Sequence, residues 1–410
     1  MKNNTKAYAW VVVALLWVVA FLNYFDRILI TSMRDPIVAE FGLTDAQFGL
    51  LTSVFLWSYG FVSPLGGYLA DKYSRKKVIV LSVAIWSLVT LWTGYTTSFS
   101  EMLATRLLMG ISEACYIPAA LALITDYHSG KTRSLATGLH MCGLYTGLAL
   151  GGLGGFIAEY WGWRAGFHVF GAFGVLYALV LVYFLKDANV KIENKEEGET
   201  IVTEGGSYSI REVLSSLFKL PSFYIILIFF AVLGMANWLV NGWLPTFLKD
   251  QFQLDLGTAG ISATGYIQIG SFIGVILGGI IADRWVQKNP KGRLNVMIIG
   301  FCIGAPFLFV MASTHMFFLA ILAMVIFGLA RGFNDANLMP MLRQVVDQRY
   351  IATAYGFLNF LSTIVGGLMV YVGGALKDAN VSLSITYQVI AVILLIVSLT
   401  LSRVKIKHIN

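Results

Sequence analysis

Gly67-Tyr68-Leu69-Ala70-Asp71-Lys72-Tyr73-Ser74-Arg75-Lys76-Lys77 ends an apolar stretch with one acid and four cations. A shorter version, Gly279-Ile280-Ile281-Ala282-Asp283-Arg284, returns later with Lys288, Lys291 and Arg293 behind it. Asp71 and Asp283 are the matching positions, 212 residues apart. Each segment follows the second apolar stretch in a set of six, so the chain reads as a duplication with both copies in the same orientation. The stretches run near 8–31, 46–69, 78–97, 101–125, 134–157 and 165–186, then 222–247, 257–282, 294–313, 316–339, 353–376 and 383–403. About 20 apolar residues cross a bilayer as helix. The expected fold class is therefore all-α integral membrane, with twelve transmembrane helices in two parallel six-helix repeats. Repeats of this kind place a transport site near the midplane, between the two copies.

Composition agrees. The chain is 57% hydrophobic and 12% charged, with a mean hydropathy of +0.74, too apolar for a soluble protein of 410 residues. No small-residue cleavage site follows the first stretch, which reads as a retained helix rather than a signal peptide. With the N-terminus placed in the cytoplasm, only Arg34, Arg164, Lys249 and Lys377 fall outside, and Arg27, Arg106 and Arg331 fall within helices. The remaining Lys and Arg of the total of 29 are cytoplasmic. This partition satisfies the positive-inside rule and puts both termini in the cytoplasm, at a cell (inner) membrane. The net charge of +7 thus reports topology and gives no reason to expect a nucleic-acid partner. Cys115, Cys142 and Cys302 all lie in expected helices, match no metal spacing and read as packing residues.

The polar segment 187–219, carrying Lys191, Glu193, Lys195, Glu196, Glu197, Glu199 and Glu204 with Gly205-Gly206, breaks the apolar pattern. It reads as a cytoplasmic linker between a bundle of residues 1–186 and a second of residues 220–410. Ser209-Ile210-Arg211-Glu212 is placed to cap a short amphipathic helix through Leu217.

Inside the first stretch stands Asn23-Tyr24-Phe25-Asp26-Arg27, an acid beside a base. A charged side chain at the bilayer centre costs roughly 2.5–3.5 kcal/mol on insertion scales, so such groups face a cavity or one another. Arg106 and Glu113 form a second set, two helical turns apart and hence on one face. Burial favours the neutral carboxyl and a neighbouring guanidinium favours the ionised one. An acid alternating between those settings can load and release a proton, which makes Asp26 and Glu113 candidate proton carriers beside Arg106. The competing reading is a fixed salt-bridge lattice of all four groups. Arg27 offers the planar fork that grips a carboxylate.

Gly67 to Lys77 resembles the loop signature of the major facilitator superfamily, G-x-L-A-D-R-x-G-R-R/K, with Lys72 for the usual Arg and Ser74 for the second Gly. Arg106-x-x-x-Gly110 resembles the fourth-helix motif of the same superfamily. Asn-Tyr-x-Asp-Arg in helix 1, with Arg106 and Glu113 in helix 4, is similar to the anion:cation symporter branch, which carries sugar acids and other organic anions with protons. Spinster-like lipid carriers share much of this pattern and supply the alternative. The resemblance implies proton coupling at Asp26 and Glu113 and substrate contact at Tyr24 and Arg27. It also implies a conformational latch at Asp71, Arg75, Asp283 and Arg284. It implies no cofactor, and as partners a small anionic substrate such as a uronate, aldonate or sialic acid, protons and the bilayer, for a monomeric chain.

Further candidates complete the substrate site. Tyr59 in helix 2 and Tyr145 in helix 5 are aromatic hydrogen-bonding groups, and His140 in helix 5 is a ligand contact or a packing histidine. Aligning Gly110 with Gly328 puts Arg331 where Glu113 stands in the first half, with Asn334, Asp335 and Asn337 nearby. Asp335 is four residues on, so an intrahelical pair is the plain reading. Asn237, Asn241, Gln268 and Asn359 suit hydroxyl groups as a set, though each alone also suits a helix–helix hydrogen bond. Gly143, Gly147 and Gly151 lay a flat stripe on helix 5 for close packing. No phosphate-binding loop, metal-ligand grouping or Ser–His–acid set is present, so neither an ATP-driven pump nor an enzyme is expected.

Overall fold

The computed structural model describes residues 2–129, 132–188, 210–347 and 350–406. Every regular element among them is a helix, and twelve segments are long and apolar enough to cross a membrane. The first span, Ala7–Phe41, joins α1 (Lys2–Leu29), a 3-10 turn at Ile30–Met33 and α2 (Arg34–Phe41). The next two are α3 (Asp45–Lys72) and α4 (Arg75–Thr93). The fourth is broken into α5 (Phe99–Glu113) and α6 (Tyr116–Tyr127). The fifth runs through α7 (Arg133–Leu150), a 3-10 turn at Gly151–Leu153 and α8 (Gly154–Trp161). The sixth is α9 (Trp163–Phe184). After the short α10 (Ile210–Phe218) come α11 (Pro221–Phe252), α12 (Leu256–Val286), α13 (Gly292–Ser313), α14 (Phe317–Val345), α15 (Ile351–Asp378) and α16 (Leu383–Thr400).

Most of the polar segment expected as a linker, 189–209, lies outside the described residues. Its end is α10, where Val213 and Leu217 are buried and Phe218 meets Phe223 of α11 edge-on. Helix starts follow their caps. Thr44 and Gln47 form a reciprocal capping box at α3, and Ser74, Ser98, Asp255 and Ser382 each accept from the backbone three residues on. Glycines set helix spacing, because helices in lipid associate through close packing. The expected stripe on α7 is one case: a Cβ at Gly143 would stand 2.6 Å from the Trp17 carbonyl oxygen of α1.

Across the two repeats, α3 packs on α15 and α12 packs on α7 and α8. These contacts are concentrated at the end of the bundle away from the loop that follows α3. At this far end Asp378 accepts from the Asp45 and Ala46 backbone amides of α3, at 2.8 Å each. Lys377 Nζ lies 3.0 Å from Asp45, and Lys249 Nζ lies 2.7 Å from Asp35. Arg34 Nη1 meets Asp35 at 2.6 Å, and Arg34 also pairs with Asp45. Three acids and three bases thus tie α2, α3, α11 and α15 together. Below them Gly152 and Gly260 approach so closely that a Cβ on Gly152 would stand 2.1 Å from the Gly260 carbonyl oxygen. Towards the other, basic end α3, α7, α12 and α15 each have open space beside a glycine. Gly67 of α3, Gly138 of α7, Gly279 of α12 and Gly356 of α15 have nothing within 4 Å of where a Cβ would point. The repeats are thus sealed against each other at the far end, while these four glycines towards the basic end face open space.

Lys377→Ala should loosen this seal. An ion pair near the protein surface contributes about 1 kcal/mol or less, enough for up to roughly a five-fold population shift. In a variant lacking the three native cysteines, a cysteine at Ser53, whose hydroxyl donates to the Gly367 carbonyl at 2.7 Å, should react faster with an impermeant thiol reagent by up to that factor. An unchanged rate would mean that the pair does not hold the seal.

Candidate functional site

α1 carries Asn23, Tyr24, Asp26 and Arg27 at mid-span, and α5 brings Glu113 to meet them. Gly110 makes this possible, because α5 lies directly on α3: a Cβ there would stand 2.4 Å from the Phe55 carbonyl oxygen. Glu113 is the last residue of α5, and the helix resumes only at Tyr116. Backbone breaks at membrane depth are tolerated where protein or a cavity satisfies the freed groups. Here Ser82 donates to the Ser112 carbonyl at 2.5 Å.

Arg27 Nε donates to Glu113 Oε2 at 2.6 Å, with both side chains almost wholly buried. Arg27 Nη2 donates to Asn23 Oδ1 at 2.8 Å. The guanidinium is sandwiched by aromatic faces, 4.5 Å from the Tyr24 ring centre and 4.4 Å from that of Tyr59, which adds cation–π attraction. Tyr24, Arg27, Tyr59 and Glu113 thus form one cluster.

Asp26 and Arg106 lie within electrostatic reach of Glu113 and of each other, but among the described residues the one direct ion pair within the four groups is Arg27–Glu113. Asp26 faces α4, accepting from Thr90 Oγ1 at 3.4 Å, and its Oδ1 has no partner. Arg106 is 1% exposed, reaches Met109 Sδ at 3.4 Å and sits 5.4 Å from the Phe167 ring centre. Its Nε and Nη2 are unpartnered, and it forms no ion pair within 4.0 Å among the described residues. Glu113 Oε1 is unpartnered too. Buried polar atoms without partners cost about 1–3 kcal/mol each, more for charged groups. Their concentration here marks a site that keeps hydrogen-bonding capacity in reserve.

The second repeat contributes a looser cluster on α14. Asp335 accepts from Tyr145 of α7 and from Asn334, both at 3.4 Å, and lies 3.9 Å from Arg331 Nε. Tyr145 and Gln268 also line a groove between α7 and α12 with Cys142, Thr146 and Phe272. Asn237 and Gln268 each keep an unpartnered carbonyl oxygen, while Asn241 and Asn359 are half-buried. Tyr355 of α15, absent from the sequence-derived candidates, belongs with this set: it lies within electrostatic reach of Tyr24, Tyr59 and Asp335. Its place one helical turn before Asn359 was the available signal, since the two share a face.

His140 is fully buried in the first repeat, away from both clusters. Tyr116 donates its hydroxyl hydrogen to the Leu16 carbonyl at 2.8 Å, so His140 Nε2 is the donor in its 2.9 Å contact with Tyr116, and its Nδ1 is left without a partner. At the basic end Arg75 pairs with Asp126, and Asp283 with Arg293 at 2.5 Å. The side chain of Asp71 lies outside the described residues. Asp283 is thus paired with Arg293 rather than with the expected neighbour Arg284, while the expected Asp71–Arg75 contact lies outside the described residues.

Residues 16–370 match the family model described as Major Facilitator Superfamily. Over 399 residues the chain is 25% identical to a Cupriavidus necator protein named "Probable sulfoacetate transporter SauU", covering 95% of this chain and 92% of that one. It is 26% identical over 378 residues to the "Probable L-galactonate transporter" of Escherichia coli K12, covering 89% and 82%. Its fold superposes with a TM-score of 0.80, at 23% identity and 97% coverage of both chains, on a bacterial homolog to the human lysosomal transporter spinster, crystallised inward-facing and unoccupied.

Proposed function

The chain belongs to the Major Facilitator Superfamily, as a multi-pass membrane transporter and not an enzyme, and from that premise we propose that it couples inward proton movement to uptake of a small organic anion, a sugar acid such as a uronate, aldonate or sialic acid. The basic end of the bundle is then cytoplasmic, as the positive-inside rule requires. The observation that carries this reading is the 2.6 Å contact between Arg27 and Glu113. A buried guanidinium neutralised by one carboxylate takes up a second without leaving net negative charge only if the first is exchanged or protonated. Leaving Glu113 buried, ionised and unpaired would cost several kcal/mol, so the incoming anion and a proton on Glu113 arrive together. Asp26, with an unpartnered oxygen one position away, is a second acid able to hold a proton. Tyr24 and Tyr59 fix the guanidinium plane, and the amides of Asn237, Asn241, Gln268 and Asn359 offer partners to hydroxyl groups. The relatives named for galactonate and sulfoacetate transport support an anionic substrate.

The test is uptake by reconstituted vesicles, acid outside, across a panel of sugar acids. One of them should accumulate with the gradient and stop when it is collapsed. No gradient-driven accumulation of any would overturn the reading. One observation favours a spinster-like carrier of amphipathic molecules instead: the α7–α12 groove is lined by Ile269, Phe272 and Ile273 beside its polar members. Thermal stabilisation by lysolipids, and by none of the sugar acids, would select that reading, because a bound ligand stabilises by mass action.

Arg27→Lys is expected to weaken binding of the acid by about 1–3 kcal/mol, the worth of a hydrogen bond to a charged group, while a neutral analogue loses little. Titration calorimetry on the two ligands checks this. Equal losses would mean that Arg27 does not hold the carboxylate.

A further inference from the structure

The two repeats present opposite charges at equivalent places. Gly110 rests on the Phe55 carbonyl of α3, and Gly328 rests on the Ile267 carbonyl of α12, where a Cβ would stand 2.4 Å and 2.2 Å away. Three residues after each comes an ionisable group: Glu113 in the first repeat, Arg331 in the second. Arg331 is held weakly. Its Nε lies 3.9 Å from Asp335 Oδ2, beyond hydrogen-bond range, against 2.6 Å for Arg27 and Glu113. Tyr24 stands within electrostatic reach of both Arg27 and Arg331. Tyr145 of the first repeat also donates to Asp335 at 3.4 Å, so the two guanidinium groups lie on facing repeats, each with its own acid.

Charge accounting separates the possible ligands. Asp26, Arg27, Arg106, Glu113, Arg331 and Asp335 carry three positive and three negative charges. A monoanion on Arg27 displaces Glu113 alone and leaves Arg331 with Asp335. A dianion long enough to reach both repeats displaces both acids, and each then stays neutral only by taking a proton. Resting on the Arg27–Glu113 exchange above, we propose that Arg331 is a second anion-binding residue and that the substrate is a small dianion, two acid groups joined by a short polar spacer. Asp335 releases Arg331 when it takes up a proton, as Glu113 releases Arg27. The ionisable groups facing Asp335 are Arg331 on its own helix, Tyr145 on α7 and Tyr355 on α15. From α13, Arg293 is engaged by Asp283 and Asn337. Asp335 is 32% exposed in side chain, so its proton can come from water.

The probes are an aldonate and the aldarate of the same sugar, which differ by one terminal carboxylate. Purified wild-type protein should bind the aldarate at least ten-fold more tightly. Arg331→Gln should abolish that preference, the aldarate losing ten-fold or more and the aldonate far less, with part of the preference restored by Arg331→Lys. In Asp335→Asn, which keeps the arginine, the pH dependence of aldarate binding should fall by one proton while that of the aldonate stays as it was. This second variant decides the matter if Arg331→Gln does not fold. Equal affinity for the two acids in the wild type, with aldonate binding still sensitive to Arg27→Lys, would overturn the dianion proposal and leave the monoanion reading standing. Binding of neither acid would overturn both.

Discussion

Glu113→Gln protein should equilibrate a monoanionic substrate and never concentrate it. With one proton per monoanion and a gradient of one pH unit, the wild type can build a ratio of about ten, since each 1.4 kcal/mol is worth a factor of ten. The amide keeps the size of the carboxyl and can still accept from Arg27 Nε, where Glu113 now stands at 2.6 Å. It cannot gain or lose the proton that ties anion release to the gradient. The expected ratio in the variant is therefore about one at every pH difference, while exchange of labelled for unlabelled substrate continues. The affinity of the purified variant should also lose the pH dependence contributed by this group. A variant that still concentrates substrate from an acidic exterior would make Glu113 a structural partner of Arg27 and nothing more.

Gly152→Val should lower net transport by at least 100-fold for a different reason. The far-end seal brings α12 to within 2.1 Å of where a Cβ on residue 152 would stand, and the obstructing atom is a backbone carbonyl oxygen that no rotamer change can move. The closed far end is then out of reach, and the protein is held open towards that side. Substrate binding from the far side should survive, and the Ser53→Cys reporter should label fast whatever the ligand. Wild-type transport rates in this variant would show that the two backbones never come into contact.

How much of this was legible in the sequence depends on the range of the interaction. Twelve spans follow from local apolarity and the repeat from one motif, so both could be read without a fold. Helix ends were harder. The expected first span, 8–31, runs on through a 3-10 turn to Phe41, because Gly42 and not the end of the apolar run terminates it. Asp26, Arg27, Arg106 and Glu113 could be singled out by the cost of charge in lipid, but not their pairing. Adjacent residues on a helix diverge by about 100°, so Asp26 turns to Thr90 of α4 while Arg27 turns to α5. The far-end network was invisible, since Asp45 and Asp378 are 333 residues apart and look like ordinary loop charges. His140 had the composition of a site residue and the position of a packing one.

The start of α3 carries two sets of caps. Thr44 and Gln47 serve it from its own repeat, while Asp378 of the other repeat holds the amides of Asp45 and Ala46. When the seal parts, the inner cap stays and the helix has no cause to unravel, so only these two amides pass from a carboxylate to water. They are isotope reporters built into the backbone. Deuterium should enter at Asp45 and Ala46 at a rate set by how often the far end opens, and a bound ligand that alters that frequency would be read there without any attached probe.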